Sequence, residues 1–194
     1  MKPAIKRACL LGTALFSLCA SAAQAAGVLV GTWDLRGNGQ LAAVYRDGAN
    51  LQVVEGGSTR NYSFGNVVWS VFGATDTDGQ PGAEIIGRTS TGIYVISNAS
   101  SRKEYSIGAS AWALYGGTAD TDGKPGNELI VVMQGKVRVI HHASGASSDY
   151  RIGDVNYSID SVADMDGQPG AEILVRDANG KLFVINDRTG KVSS

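Results

Sequence analysis

The chain has 194 residues, with 17 Lys and Arg against 18 Asp and Glu, and 43% of its residues are hydrophobic. Because the basic residues form no stripe or patch, this balance argues against nucleic acid or an anionic membrane surface as a partner. The composition is that of a globular protein large enough for one domain with a substantial core.

The first 25 residues have the layout of a secretory signal peptide. Lys2, Lys6 and Arg7 precede the apolar stretch ACLLGTALFSLCASA, and the small residues of AQA at 23–25 predict cleavage after Ala25. The apolar stretch is too short to favour a membrane-spanning helix. We therefore expect a secreted or periplasmic protein of residues 26–194, without membrane insertion.

Cleavage would leave 169 residues, in which 14 basic side chains face 18 acidic ones for a net charge of −4. Cys9 and Cys19, the two cysteines of the chain, both lie in the predicted signal peptide. The mature protein then has neither a disulfide nor thiol chemistry, so another feature must stabilise it outside the cytoplasm.

The first predicted unit, about 26–69, is the least regular. It contains the loop TWDLRGNGQ at 32–40, the apolar strand QLAAVYR at 40–46 and the alternating stretch NYSFG before Trp69. A step of 44 residues back from the later motifs places Thr32 where they have the first Asp and Gln40 where they have the Glu. On this reading only Asp34 survives in the first loop.

A nine-residue acidic motif marks each of the three later units. It reads DTDGQPGAE at 76–84, DTDGKPGNE at 120–128 and DMDGQPGAE at 164–172, in steps of 44 residues. Each motif is followed by an apolar run (EIIGR, ELIVV or EILVR), a turn and a second apolar run. The stretches YSIG and YRIG then lead to Trp112 and Tyr157. Strand residues separated by Gly, Asn, Ser and Asp predict β-structure throughout.

A period in the forties, built from short strands, indicates propeller blades or a related array. We expect an all-β fold, a four-bladed β-propeller-like array of four-stranded antiparallel sheets. The predicted repeats are about 26–69, 70–113, 114–157 and 158–194, with boundaries near residues 70, 114 and 158.

The fourth unit stops at TGKVSS. Its outer strand should therefore be short, formed by roughly Lys191–Ser193, or absent. A closed four-bladed monomer is favoured, because 169 residues suffice for one compact domain. The alternative is an open half-ring that pairs with a second copy as a dimer.

The motifs and the strands after them resemble the FG-GAP/VCBS repeat family, whose best-known members are the integrin α-subunit propellers. The resemblance covers essentially all of 26–194 and rests on Asp76-x-Asp78-Gly79, Glu84 and the following apolar strand, repeated twice more. It implies that each motif is a loop between the innermost and second strands of a blade. In this family such a loop holds Ca²⁺ through side chains at positions 1, 3, 5 and 9 and through the backbone carbonyl at position 7.

Carried over to this sequence, the implied calcium ligands are Asp76, Asp78, Gln80, Gly82, Glu84, Asp120, Asp122, Gly126, Glu128, Asp164, Asp166, Gln168, Gly170 and Glu172. Position 5, usually Asp or Asn in the family, is Gln80, Lys124 or Gln168 here. Because Lys cannot ligate a cation, the site built on Asp120 is the weakest of up to three.

Two interpretations of the motifs stay open. Pro-Gly is the preferred central pair of a type II turn, and an Asp before it can bond its own backbone, so turns alone would explain the Asp, Gly and Pro. Turns do not explain the Glu at position 9, or why nine of the 18 acidic residues lie in these 27 positions. Three neighbouring carboxylates repel unless a cation joins them, and oxygen ligands at this density suit Ca²⁺. We favour calcium in at least one loop.

Other residues give weaker signals. His141 and His142 fall in a predicted exposed turn, and neighbouring side chains on an extended backbone point opposite ways, which makes a poor chelate. With no other histidine, a Ser–His–Asp or Cys–His site has few possible members. Trp33, Trp69 and Trp112 could form a sugar-stacking surface, although their near-repeat spacing favours packing between blades.

These observations favour a secreted, non-enzymatic binding or adhesion module, stabilised by Ca²⁺, that recognises an extracellular glycan or protein through its loops. The alternative is a purely structural repeat module for envelope or matrix assembly, with metal-free loops. A polysaccharide-cleaving enzyme is less favoured. It needs a carboxylate pair across a groove, and the strong carboxylate clusters here belong to the loops.

Overall fold

The computed structural model describes residues 27–97, 101–153 and 156–194. These residues form sixteen β-strands and no helix. The predicted signal peptide lies outside the described residues. Within the three described ranges, no helix is long and apolar enough to cross a membrane.

The strands form four antiparallel sheets, and each sheet consists of four strands that are consecutive in the chain. In chain order the strands are β1 (Val28–Trp33), β2 (Ala42–Asp47), β3 (Asn50–Glu55), β4 (Ser58–Ser63), β5 (Trp69–Thr75), β6 (Glu84–Thr89), β7 (Gly92–Ser97), β8 (Ser101–Ser106), β9 (Trp112–Leu114), β10 (Leu129–Met133), β11 (Lys136–His141), β12 (Ala146–Arg151), β13 (Tyr157–Ala163), β14 (Glu172–Asp177), β15 (Leu182–Asn186) and β16 (Lys191–Ser193). Sheets 1 to 4 are β1–β4, β5–β8, β9–β12 and β13–β16.

The predicted fold class, an all-β array of four four-stranded antiparallel sheets, is confirmed. The second, third and fourth sheets begin at Trp69, Trp112 and Tyr157, beside the predicted boundaries near 70, 114 and 158. The short outer strand predicted at Lys191–Ser193 is confirmed as β16, which pairs with β15.

Three core clusters join successive sheets, because the inner strands carry Val, Ile and Leu on the faces that meet. Each cluster is built from two neighbouring sheets. Representative pairs in the same cluster are Val53 with Ile85, Val95 with Leu129, and Val139 with Ile173.

The end sheets bury less than the middle sheets. The first four residues of β6 are all buried, whereas only Ala42 and Val44 are buried in β2. Among the described residues, no core cluster joins sheet 1 to sheet 4. Val28 and Leu29 of β1 are 74% and 54% exposed. The closed ring favoured from the sequence is therefore wrong, and the sheets form an open row. One physical reason is that sheet 1 presents polar residues, such as the Gln52–Asn61 pair, on its outer face.

The antiparallel order puts two kinds of connection at opposite ends of the sheets. The acidic motifs join the first strand of a sheet to the second, as in β5 to β6, and the turns between third and fourth strands share that end. We call it the acidic end. Hairpins between second and third strands, together with the links from sheet to sheet, lie at the other end, the hairpin end.

Candidate functional site

Four equivalent loops lie side by side at the acidic end. The backbone N–H of Ala83 donates to the carbonyl of Asp34 at 3.0 Å. In the same way, Asn127 donates to Asp76 at 2.9 Å and Ala171 donates to Asp120 at 2.8 Å. Each loop is therefore tied to the loop before it, and Asp34 is the equivalent of Asp76. We call these loops 1 (34–42), 2 (76–84), 3 (120–128) and 4 (164–172).

The register of loop 1 corrects the prediction for Thr32 and Gln40. Asp34 holds position 1 and lies 42 residues before Asp76, so Arg36 holds position 3 and Ala42 holds position 9. The strand pairing agrees, because Trp33 pairs with Ala42 as Thr75 pairs with Glu84. The step is shorter because the stretch from the end of β3 to the next loop has two residues fewer than its equivalent after β7.

Glycines in the loops allow this close stacking. Gly79 has φ of +73°, and a Cβ there would come within 2.5 Å of Pro125 in loop 3. Gly126 has φ of +102°, and a Cβ there would lie 2.9 Å from the Thr77 carbonyl oxygen in loop 2. The Gly and Pro residues therefore serve contacts between loops as well as turns within them.

Loop 2 brings three carboxylates together. One oxygen from each of Asp76, Asp78 and Glu84 lies within 4.8 Å of the others. Backbone N–H groups of the same loop donate to Oδ1 of Asp76, Oδ1 of Asp78 and Oε2 of Glu84 at 2.7, 2.9 and 2.6 Å. No described residue donates to the second oxygen of any of the three. The turn therefore uses one oxygen of each carboxylate and leaves the other without a hydrogen-bond donor among the described residues.

The electrostatics of loop 2 are those of an uncompensated cluster. Glu84 is only 1% exposed. Burial raises the pKa of Glu84, and the charges of Asp78 and Asp76 add to the rise against the opposing N–H of Thr77. Within the described part of the chain, no Lys, Arg or His forms an ion pair with these carboxylates. A bound cation would relieve their repulsion.

Loop 3 has nearly the same sequence but different neighbours. Its cluster consists of Asp122, Glu128 and His141, and the predicted ligand Asp120 lies outside it. The Nζ of Lys124 donates to Oδ2 of Asp122 at 2.7 Å, and Asp122 in turn raises the pKa of Lys124. Loop 3 therefore already has a positive charge beside its carboxylates.

His141 ends β11 and His142 begins the turn that follows, as predicted, but both are half-buried, so the predicted exposure is wrong. The His141 side chain is only 13% exposed and faces its own loop, with Nδ1 3.5 Å from Asp122 and 3.6 Å from Glu128. His142 faces the preceding sheet, where Tyr105 and Ser97 contact its ring nitrogens at 2.7 and 3.1 Å. Alternation along an extended backbone separates the two rings, and packing between sheets covers both.

Loop 4 is partly compensated by neutral and charged donors. It collects Asp164, Asp166 and Glu172. Asn186 donates through Nδ2 to Oε1 of Glu172 at 2.7 Å, and Arg188 lies 3.3 Å from Oδ2 of Asp166. In loop 2 the second oxygens of Asp78 and Glu84 have no donor among the described residues. In loop 4 the equivalent oxygens, on Asp166 and Glu172, each have a donor.

Loop 1 carries its cation on the chain itself. Arg36, at the position of the second Asp, donates through Nε to Oε2 of Glu55 at 2.6 Å. Arg60 adds a second contact to the same oxygen at 2.8 Å, and the Glu55 side chain is only 6% exposed. Loop 1 thus replaces a carboxylate cluster with an ion pair.

The residue at the end of the third strand in each sheet sets these differences, and sequence reasoning missed it. The four equivalents are Glu55, Ser97, His141 and Asn186, at the ends of β3, β7, β11 and β15. They follow position 9 of their loops by 13 residues in sheets 1 to 3 and by 14 in sheet 4. This regular spacing is the signal that would have found them.

The donor set of loop 2 fits Ca²⁺. It offers only hard carboxylate oxygens, one oxygen of each carboxylate has no hydrogen-bond donor among the described residues, and the cluster includes a buried Glu84. Asp76, Asp78 and Glu84 would hold the ion. The side-chain ligands predicted at Gln80 and Gln168, and the carbonyls of Gly82, Gly126 and Gly170, stay predictions.

A cleft of about 480 Å³ lies at the hairpin end, between sheets 3 and 4. Trp112, Met133 and Tyr157 form its apolar wall, while the exposed Gln134 and Asn156 offer amides. A smaller cleft of about 250 Å³ lies at the same end of sheet 2, between the start of β5 at Trp69 and the end of β6 at Thr89. The residues that line it come from sheet 2 and the stretch just before it, so the cleft between sheets 3 and 4 differs from it in having a second sheet as a wall.

Trp69 and Trp112 pack between sheets, as the spacing predicted. They are 3% and 9% exposed. Their Nε1–H groups donate to the carbonyls of Gly48 and Ser90, in the hairpin of the preceding sheet, at 3.0 and 2.9 Å. Trp33 is half-buried against the first cluster. A sugar-stacking surface made of all three rings is not formed.

No family model and no curated protein sequence matches the chain. Among solved structures it is similar to a lectin of Agrocybe aegerita, described for specific recognition of non-reducing terminal N-acetylglucosamine, at 17% identity and a TM-score of 0.52 over 84% of this chain and 50% of that chain. It is also similar to BBS1N, solved in complex with ARL6DN, at 17% identity and a TM-score of 0.46 over 87% and 56%.

The chain thus spans about half the length of the structures it matches. The likeness to the lectin, together with the four sheets, defines a β-propeller-like protein. Membership of the FG-GAP/VCBS family stays a prediction.

Proposed function

We propose that the chain is a secreted, non-enzymatic β-propeller module that binds an extracellular glycan or protein and is stabilised by Ca²⁺. The observation that carries the proposal is the cleft between sheets 3 and 4. It combines an apolar wall with two exposed amides, the mixture that small-molecule sites commonly present.

In this proposal the two ends of the sheets have different roles. The acidic end holds the four loops together, with calcium in loop 2 taking the part that Arg36 takes in loop 1. The hairpin end recognises the ligand. Sugar rings have apolar faces and many hydroxyls, so the half-buried Met133 and Tyr157 would pack against a face while Gln134 and Asn156 bond hydroxyl groups. A protein loop of similar chemistry is the other candidate ligand.

A second candidate function is assembly of an envelope or matrix structure by a repeat module. The observation that favours it is the exposed first strand, where Val28, Leu29 and Val30 are 74%, 54% and 38% exposed. An apolar edge strand is suited to association with another chain. In this case the clefts would have no ligand of their own.

A glycan array probed with the purified protein tests the proposal. Binding to a defined glycan should be lost in Asn156→Ala and in Gln134→Ala, and kept in Asn61→Ala, which removes an amide from β4 instead. Absence of any glycan or protein ligand, together with self-association that rises with concentration, would favour the assembly module. Turnover of a polysaccharide would contradict the non-enzymatic proposal.

A further inference from the structure

His141 holds a ring nitrogen that no hydrogen bond explains. Its Nδ1 is buried and has no hydrogen-bond partner among the described residues. The nearest carboxylate oxygens, on Asp122 and Glu128, are 3.5 and 3.6 Å away. These distances exceed the roughly 2.7–3.2 Å that is usual for an N–H···O bond. Ligand atoms held tetrahedrally at about 2.0–2.2 Å from a metal ion lie about 3.3–3.6 Å apart.

Glu128 supports a ligand at the same point independently. Its side chain is only 5% exposed. Oε2 accepts the backbone N–H of Thr121 at 2.6 Å, while no described residue donates a hydrogen bond to Oε1, the oxygen that faces His141. The charge of a carboxylate on such a buried side chain is costly unless a cation or a proton meets it.

The other side of the imidazole faces a hydroxyl and a carboxylate. Nε2 of His141 contacts the Ser148 hydroxyl at 3.4 Å, and the fully buried Asp187 side chain lies 3.6 Å from the same nitrogen. Asp187 is fixed in turn by the Thr121 hydroxyl, which donates to it at 2.7 Å, and by the Tyr150 hydroxyl. Metal-binding histidines commonly direct their second nitrogen at a carboxylate, which fixes the ring and its tautomer.

We propose that loop 3 binds a transition-metal ion, Zn²⁺ by its chemistry, through Nδ1 of His141 and the carboxylates of Asp122 and Glu128. Imidazole nitrogen is a good ligand for zinc, whereas calcium takes oxygen ligands. This site is independent of the calcium proposed for loop 2. His142 does not take part, because Tyr105 and Ser97 engage its ring nitrogens.

Lys124 is compatible with this site. Its side chain is 76% exposed, so it can leave Asp122 when an ion binds. Two neighbouring loops lack the nitrogen ligand, because Ser97 and Asn186 stand at the equivalent strand ends of sheets 2 and 4. Zinc selectivity in this protein would therefore come from one residue outside the acidic motif.

Thermal melting of metal-free protein with and without Zn²⁺ tests the proposal. At a zinc concentration of about 100 times the dissociation constant, Tm should rise by about 5–10 °C. His141→Asn, which copies Asn186 of sheet 4, should lose most of this rise and keep the calcium response as a check of its fold. His142→Asn is the matched control and should keep the zinc response.

The imidazole ¹⁵N signals provide a readout that needs no variant. Zinc should shift the His141 ring signals and leave those of His142 in place. An equal zinc response in His141→Asn would overturn the proposal, because the ion would then use the carboxylates of other loops. An unshifted His141 ring in the presence of zinc would also overturn it.

Discussion

Loops 2 and 3 share seven of nine residues but differ in what surrounds their carboxylates. In loop 2 the end of the third strand offers Ser97, and no described cationic side chain pairs with Asp78 or Glu84. In loop 3 the same places hold His141 and Lys124, both within 4 Å of Asp122. The acidic motif therefore builds the loop, while position 5 and the strand end 13 residues after position 9 decide whether a cationic or titratable side chain lies beside its carboxylates.

The largest change in stability is expected when the residues beside the carboxylates of loop 3 are replaced by those found beside loop 2. The double variant Lys124→Gln and His141→Ser should gain a calcium-dependent stabilisation of about 2.7 kcal/mol at 100 times the dissociation constant. This corresponds to a Tm shift of about 5–10 °C beyond the wild-type response. Melting curves in calcium and in chelator measure it. Lys191→Gln, at an exposed strand end, is the control, and a double variant with the wild-type calcium response would contradict the comparison.

Loop 1 extends the comparison, because its cation is covalently part of the chain. Arg36→Ala should destabilise the protein by about 1–2 kcal/mol, since the buried Glu55 would keep Arg60 as its one partner in that ion-pair cluster. Calcium should not restore the loss, because Ala42 stands where the other loops have Glu. Urea unfolding measures it against Arg151→Ala, which removes an exposed arginine. Equal stabilities of the two variants would show that Arg36 does not compensate Glu55.

The smallest effect concerns the pH dependence of loop 2. The raised pKa of Glu84, above its ordinary 4.5, means that the folded state favours the protonated form. The stability from this group is present below the ordinary pKa and is lost as the pH rises through the raised one. In chelator, Tm should therefore fall as the pH rises above the ordinary pKa of 4.5, and calcium or Glu84→Gln should reduce the slope. A slope that neither calcium nor Glu84→Gln changes would assign it to other groups.

The sequence predicted the architecture well because the signals for it are local. The apolar runs after each acidic motif and the turn residues between them are read within a few positions, and the short β16 follows directly from the residues after Gly190. The Asp-Gly sequence in each motif likewise predicts a turn in the loop. These features depend little on what other sheets contribute.

The binding differences and the open ends depend on contacts far apart in the chain. His141 lies 3.6 Å from Asp187 of the next sheet, a contact that the local sequence does not reveal. The position of His141 beside Glu128 becomes visible only when the ends of the third strands are compared across the four units.

The register predicted for loop 1 was wrong because Arg36 stands where the other loops have their second Asp. Without that Asp, the 42-residue step from Asp34 to Asp76 could not be recognised from the sequence. The open row leaves the outer face of β2 half-buried, and polar residues on that outer face of sheet 1, such as Gln52 opposite Asn61, also occur on the outer strands of closed arrays, so they do not mark an end by themselves.

Calcium titration calorimetry of wild type, Asp78→Asn and Asp122→Asn tests the central claim most directly. Each substitution keeps an oxygen for the backbone N–H at position 5 and removes one negative charge, so the two variants form a matched pair. Asp78→Asn should abolish the strongest calcium binding, and Asp122→Asn should leave it unchanged. Equal losses in the two variants, or no calcium binding by the wild type, would contradict the assignment of loop 2 as the calcium site.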